Sequence, residues 1–398
     1  MNRPTLLALI ALACSNTGPA ERYGFVAMLG NDTVSVERIE RAPTRLVVDG
    51  VDQWPFVRRR HTEFDLASDG AVRHMVMDVR TPNGPSPAER GRRITADVSK
   101  NTVKISIRDS GGVRDTSFAT GGAFVVPHVS MMYSVIELEI ATALRRAAAT
   151  GFAPGDSVLF RQFYPDRDIG PRFVLHRGWV IPRETGKIEL RHDWLAGTGD
   201  VTVDSGGHML TYSGMRTTYK VAVVRTTTLP DIDSIGARLA AAERRTGQQQ
   251  LSVRDTARAT IGAATFSVDY GRPLARGRVL VGNVISYDRV WRTGANAATQ
   301  LTTSAPISLA GLSVPAGTYT LWTVPHRDGV DLIVNKQIGQ WGTEYGRAHD
   351  LGTVPMSSDS VTTTVEKFTV SIEAKDARHG TLAMAWGTFR WTVPITVQ

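Results

Sequence analysis

Hydrophobic and polar positions alternate through much of the first 225 residues. Val103, Ile105 and Ile107 stand against Lys104, Ser106 and Arg108, and Val34 and Val36 against Ser35 and Glu37. Tyr219, Val221 and Val223 stand against Lys220 and Ala222. A period of two sends successive side chains to opposite faces of a strand, so these runs predict strands with one wet face. Tyr23–Leu29, Thr33–Ile39 and Thr44–Val48 are further short apolar-rich runs, divided by Gly30-Asn31-Asp32 and by Ala42-Pro43. Turn signals such as Ser68-Asp69-Gly70 and Lys100-Asn101 recur at the ~8–12-residue spacing of antiparallel architectures. The Pro-, Asn-, Gly- and Arg-rich stretch Thr81–Arg92 reads as a long exposed loop.

The period changes twice. From Val129 to Ala149 the apolar residues Met132, Val135, Ile136, Ile140, Ala143 and Leu144 recur at steps of three and four, and Gly151 and Pro154 end the run, which predicts a helix. A second helical pattern runs from Asp231 to about Thr246, with Asp231 or Asp233 as N-cap, before Gly247-Gln248-Gln249-Gln250. Beyond it, Val279–Val284, Thr299–Thr302, Thr318–Val324, Asp331–Asn335, Lys367–Glu373 and Thr381–Trp386 again read as short strands. The fold expected is all-β and mainly antiparallel. An N-terminal curved sheet or partial barrel with one inserted helix occupies residues 21–229, and a helical linker residues 230–250. A C-terminal β-sandwich fills residues 251–398.

Residues 1–20 read as an export signal. Arg3 precedes an apolar run from Leu6 to Ala13, too short for the ~20 residues of a membrane span. Cys14 follows the run directly and is the one cysteine of the 398 residues. Ala11-Leu12-Ala13-Cys14 resembles a lipobox, with Ala where Leu is usual, so Cys14 is the expected lipidation site. Cleavage after Ala13 or Ala20 is the competing reading. Ser15 after the cysteine favours the outer membrane over periplasmic retention. With no second cysteine the body forms no disulfide.

Composition changes the picture only modestly. Apolar residues at 42% and charged residues at 21% exclude wholesale disorder. The net charge is +8, and 39 of the 46 basic residues are Arg, scattered except at Arg58-Arg59-Arg60 and Arg90-Gly91-Arg92-Arg93. For an exported chain that excess suits anionic headgroups or envelope polysaccharide better than nucleic acid.

The C-terminal third carries an ordered set of motifs. Tyr270-Gly271-Arg272-Pro273 and Arg276-Gly277-Arg278 come first, then the run from Val290 through Trp291-Arg292-Thr293-Gly294-Ala295-Asn296 to Thr299. Pro315-Ala316-Gly317-Thr318-Tyr319, Pro325, Asn335-Lys336, Gln340-Trp341-Gly342, Tyr345, Trp386 and Val393-Pro394-Ile395 follow. In these residues the segment from about Leu251 resembles the bacterial domain of unknown function 2911. The family often has Arg where Thr353 stands and Glu where Gly387 stands. The resemblance implies an exported β-rich domain and no activity.

Candidate chemistry is sparse. Trp291, Arg292, Thr293, Asn296 and Thr299 offer a stacking face, a planar donor fork, an amide and two hydroxyls, a set suited to a carboxylate, phosphate or sugar. The alternative is structural, with Trp291 in the core, Arg292 on buried carbonyls and Asn296 capping a turn. Trp322, Trp341, Trp386 and Trp391 suggest an aromatic sugar platform or, more simply, packing. His61, His74, His128, His176, His192 and His208 are scattered, and of these His74, His176 and His192 lie in strand-like segments that can converge. No HExxH, G-x-S-x-G, S-x-x-K, P-loop or dinucleotide motif is present, so no metal, catalytic residue or cofactor is assigned. The expected role is non-enzymatic binding or carriage of a lipid, small apolar ligand or envelope-derived ligand in the N-terminal concavity. A hydrolase of envelope glycans or esters and a structural partner in an envelope complex are the alternatives.

Overall fold

The computed structural model describes residues 20–53, 56–150, 155–166, 175–246 and 251–398. The export signal and Cys14 lie outside the described residues. The chain divides into two compact units, Met1–Gln249 and Gln250–Gln398. It is almost all β, 59% strand and 11% helix, and mostly antiparallel.

Among the described residues, the first unit is a single fifteen-stranded sheet made of two meanders. Eight strands, from Glu21–Leu29 to Gly112–Ala119, each pair with the one before. The second meander runs from Ala222–Thr226 back to Val158–Phe163, and the two join where Val26 lies opposite Val224. The one parallel pairing sets Val126 of Val125–Pro127 opposite Gln162. The two edge strands, Gly112–Ala119 and Val125–Pro127, follow each other closely in the chain, and Phe118 touches Phe163. The sheet therefore curls without closing into a barrel. Val103, Ile105 and Ile107 face inward as their alternation requires, while the residues between them are exposed or half-buried.

Local chemistry shifts some of the expected elements. The stretch Thr81–Arg92 is tied down: it holds a one-turn helix, α1 (Pro87–Arg90), capped by Ser86, and a strand starts at Gly91. Asn83 within it donates to Ala240 O and to Glu243. The strand around Tyr219 begins only at Ala222, because Thr217 bonds the carbonyls of Gly214 and Tyr219 and holds a turn.

Helix α2 (Tyr133–Thr150) lies against the inner face of the sheet and is buried on all sides over its first three turns. Val135, Leu138, Ile140 and Ala143 are completely buried, and so are Ser134, Glu137, Glu139 and Thr142. Helix α3 (Ile232–Thr246), capped by Asp231 through the Ser234 N–H at 3.0 Å, packs Ile232 and Ala240 against Val36, Val51 and Val57. The cavity beneath α3, lined by Gln53, Val57, Leu239, Ala242 and Glu243, measures about 40 Å³. Drug-sized ligands occupy roughly 300–1,000 Å³.

The second unit is a nine-stranded sheet folded over on itself as a sandwich. Two long strands, Asp350–Ala374 and His379–Val397, pass from one leaf to the other, with pairing irregular around Val365 and Gly387. Between the leaves lie Phe266, Leu301, Leu321, Leu332, Phe368 and Trp386, all nearly inaccessible. Burying each such side chain is worth about 1.5–3 kcal/mol. Val279–Val284 is a turn with one isolated bridge, Val281 to Ile285, and not a strand, since Arg278 clamps the carbonyls of Leu274 and Ala275 and Gly282 takes a φ of 86°.

Candidate functional site

Helix α2 carries polar groups into the interior over three turns; its N-terminus, Glu137 and Glu139 are met by side chains from distant strands, and Thr142 bonds the Gly70 and Leu138 carbonyls. Glu37, from the strand Asp32–Ala42, caps the helix by accepting from the backbone N–H of Tyr133 at 3.0 Å and Ser134 at 2.8 Å. Burial pushes its carboxyl up to about 8, against these bonds and the charge of Arg60. Glu137 accepts from Tyr23 Oη, from Arg41 Nη1 at 3.0 Å and from the Met209 N–H at 3.0 Å. A third group, Asp52, holds Arg58 and Arg60.

Glu139 faces the end of the strands Val158–Phe163, His176–Glu184 and Lys187–His192. It accepts from the Gln162 amide and lies 3.3 Å from His192 Nε2 and 3.5 Å from His128 Nδ1. Burial pushes this carboxyl up, but the bonds from His128 and His192 outweigh it and hold it down to about 2. An ionised carboxylate only accepts, so His192 Nε2 carries hydrogen toward it. His128 Nδ1 lies 3.2 Å from the Gln162 amide nitrogen as well as 3.5 Å from Glu139. Burial also holds the His128 imidazole below its ordinary value, so it stays neutral at physiological pH.

Trp194, on the turn after His192, covers these rings. It stacks on His192 with centroids 5.3 Å apart at 23°, lies 4.8 Å from His128, and donates its indole N–H to Gln162 Oε1 at 2.8 Å. It remains 38% exposed. Asp193 anchors the turn by accepting from the Arg177 N–H at 3.0 Å and by contacting His176 Nδ1 at 3.1 Å. Tyr164 meets both His176 and His128 edge-on. Gly178, between Phe160 and His192 in register, has no side chain because the Phe160 ring fills its place. The group thus has a polar base and an aromatic rim where the inner face of the sheet reaches solvent.

Sequence reasoning missed most of this. His176 and His192 belong to the group, whereas His74 pairs with Asp97 elsewhere on the sheet. His128 stood out only as one of the scattered histidines, and Glu139 not at all. Among the described residues no three His, Cys, Asp or Glu side chains are placed to hold a metal ion.

In the second unit, the loop 291–299 divides its residues between packing and surface. Trp291 stacks on Trp386 at 5.9 Å and 8°, as part of the core. Thr293 and Thr299 are fully buried, bonded to Thr323 Oγ1 and to the Thr293 carbonyl. Thr293 and Thr299 are therefore enclosed and support the loop, while Trp291 is partly buried against the core. Arg292 and Asn296 remain. Asn296 is exposed at a left-handed φ of 64°, and Arg292 lays its stem on Gly342, where a Cβ would stand 2.0 Å from Arg292 Cδ. The aromatic platform does not assemble: Trp322, Trp386 and Trp391 are buried, and only Trp341 of the four is exposed.

The interlocking of this loop with Tyr270-Gly271-Arg272 is what the motif encodes. A Cβ on Gly271 would stand 2.0 Å from the Ala295 carbonyl oxygen, and Gly294 sits against Gly271 O. Residues 252–395 match the family described as Protein of unknown function (DUF2911). In the DUF2911 segment Asn335 bonds Gly346 O and Asp350, holding the loop that carries Tyr345. Gly387, where the family often has Glu, lies at a φ of 59° with Leu280 Cδ1 2.6 Å from where a Cβ would stand, so a side chain there needs a strained backbone and a shift of Leu280. No family model matches the N-terminal half, and no curated protein matches the chain. Among solved structures, a DUF1089 family protein from Pseudomonas aeruginosa is 14% identical with a TM-score of 0.32, over 47% of this chain and 93% of that one. A botulinum neurotoxin type C structure concerned with ganglioside-dependent cell entry is 9% identical with a TM-score of 0.10, over 95% of this chain and 89% of that one. At these scores neither likeness carries an argument.

Proposed function

We propose that the protein is exported to the cell envelope and held there by a lipid on Cys14. Its N-terminal unit binds a hydroxyl-bearing ring of an envelope glycan or glycolipid at Trp194, His128 and His192. One observation carries the reading: the Trp194 indole, 38% exposed, set over His192 and His128 above the buried Glu139. An indole face packs against the apolar face of a sugar ring, and the half-buried His176, held at the same turn by Asp193, offers a hydrogen-bonding group to its hydroxyls. Because α2 occupies the concave face, ligand is taken at the rim and not in an enclosed apolar cavity. The location rests on the succession of Arg3, the Leu6–Ala13 run and Cys14. Among the described residues no helix is long and apolar enough to cross a membrane.

Isothermal titration with oligosaccharides released from the host's own envelope tests the binding. Saturable heat with the wild type and none with Trp194→Ala is expected, and no heat with any wild-type titration contradicts the reading. The hydrolase alternative is favoured by one feature, the His192–Glu139 pair, which is how an imidazole is oriented as a general base. Turnover of an envelope ester by the wild type, lost in His192→Gln, would mark that chemistry.

A further inference from the structure

Arg292 has no role in the glycan reading, yet its surroundings are those of a charge awaiting a partner. Arg292 is half-buried, and its Nε is enclosed without a hydrogen bond. Among the described residues no carboxylate pairs with it, whereas Arg254 and Arg272 in the same unit are held by Asp269 and Asp255 at 2.8 Å each, and Arg390 by Glu373. Enclosing part of an unpaired cation is unfavourable, and a fold normally avoids it by pairing the charge or leaving it in water.

The loop also carries strain in holding Arg292 in place. Thr293 and Asn296 both adopt left-handed φ, 53° and 64°, a conformation Asn tolerates and a β-branched Thr takes only when its surroundings impose it. The stem is fixed from below by Gly342, whose N–H bonds the Asn296 carbonyl at 2.9 Å. Beside Gly342, Trp341 is 51% exposed and bonded only through its backbone, to Glu344 and the Ala297 bridge. A pre-set planar donor fork beside a free aromatic face is suited to a carboxylate or phosphate presented on a flat or apolar body.

We propose that Arg292, with Asn296 and Trp341, forms a binding site for an oxyanion group in the C-terminal unit, independent of the site at Trp194. Bidentate pairing to the guanidinium supplies the missing countercharge, and the rigid loop means that little is reorganised on binding.

Thermal denaturation of the full mature protein tests this, in inorganic phosphate and in acetate against chloride at constant ionic strength. Expected is a saturable rise in Tm with one of the two anions in the wild type. Phosphate as the active anion points to a phosphorylated headgroup or sugar, and acetate to an acidic saccharide. The rise is lost in Arg292→Met and weakened in Arg292→Lys, whose ammonium cannot pair through two bonds. Without anion, Arg292→Met should melt at or above the wild-type temperature, because it removes an uncompensated charge. The proposal is overturned if the wild type shows no saturable rise with either anion, or if Arg292→Met keeps the rise. A marked fall in Tm of Arg292→Met without anion would equally overturn it, by making Arg292 a structural bond to the loop.

Discussion

Replacing Glu37 by Gln should remove a pH dependence of stability that the wild type carries between about pH 4.5 and pH 8. Glu37 is 1% exposed and caps α2, and burial raises its carboxyl from the ordinary 4.5 to about 8. Between those values the folded chain holds a proton that the unfolded chain has released, so unfolding is increasingly favoured as pH rises. The contribution is fully present below about pH 4.5 and is lost as pH climbs through about 8. At ~1.36 kcal/mol for each pH interval of one between the two values, the upper limit is on the order of 5 kcal/mol. The amide in Glu37→Gln cannot ionise; it keeps an oxygen for one of the Tyr133 and Ser134 N–H groups and turns its NH2 to the other, a cost that is the same at every pH. Urea denaturation of both proteins at pH 5, 6, 7 and 8 reads the effect. The stability of the wild type minus that of Glu37→Gln should fall by several kcal/mol across the series, while histidines common to both cancel. A difference flat to within about 1 kcal/mol, or one that grows with pH, refutes the reasoning, since it would mean that Glu37 caps the helix as an ordinary carboxylate.

Glu139 acts in the opposite direction and in another window. Held down to about 2, it contributes stability above the ordinary 4.5 that is lost as pH falls from there toward 2, and Glu139→Gln should flatten that acid limb in a near-ultraviolet circular dichroism titration. Gly178→Ala places a Cβ 2.2–2.7 Å from Phe160 ring atoms. Overpacking of this kind costs about 1–3 kcal/mol in chemical denaturation and, because Phe160 meets His192 edge-on, should also weaken the glycan titration. Cys14→Ser should move the protein from the membrane fraction to the soluble envelope fraction on ultracentrifugation, and an unchanged distribution counts against the lipid anchor.

The architecture was legible where local pattern decides it. Val103, Ile105 and Ile107 alternate because the inner face of a curled sheet must be apolar, and Gly151 and Pro154 lie at and beyond the end of α2. The three-and-four spacing of α2 suggested one buried face, yet its first three turns are enclosed all round. Its carboxylates are satisfied by partners far off in sequence: Tyr23 is 114 residues from Glu137, and His192 is 53 from Glu139. No local signal announces such pairings, so Glu137 and Glu139 did not stand out in the sequence. The site at Trp194 was hidden for the same reason, because a histidine becomes informative only when its carboxylate and its indole are known. In the C-terminal unit the motif itself pointed to the loop 291–299. What it could not separate was packing from surface. Trp291, Thr293 and Thr299 belong to the former, and Arg292 is the member left without a partner inside the fold.

The central claim, an envelope ligand held at Trp194, is tested most directly by native mass spectrometry of the mature protein purified from its own host's envelope in gentle detergent, beside Trp194→Ala prepared identically. A ligand held at Trp194 predicts a reproducible mass excess on the wild type beyond the acyl anchor. That excess should disappear on denaturation, fragment into saccharide units, and be absent from the variant. A wild type of clean protein-plus-anchor mass, or the same excess on Trp194→Ala, would contradict it.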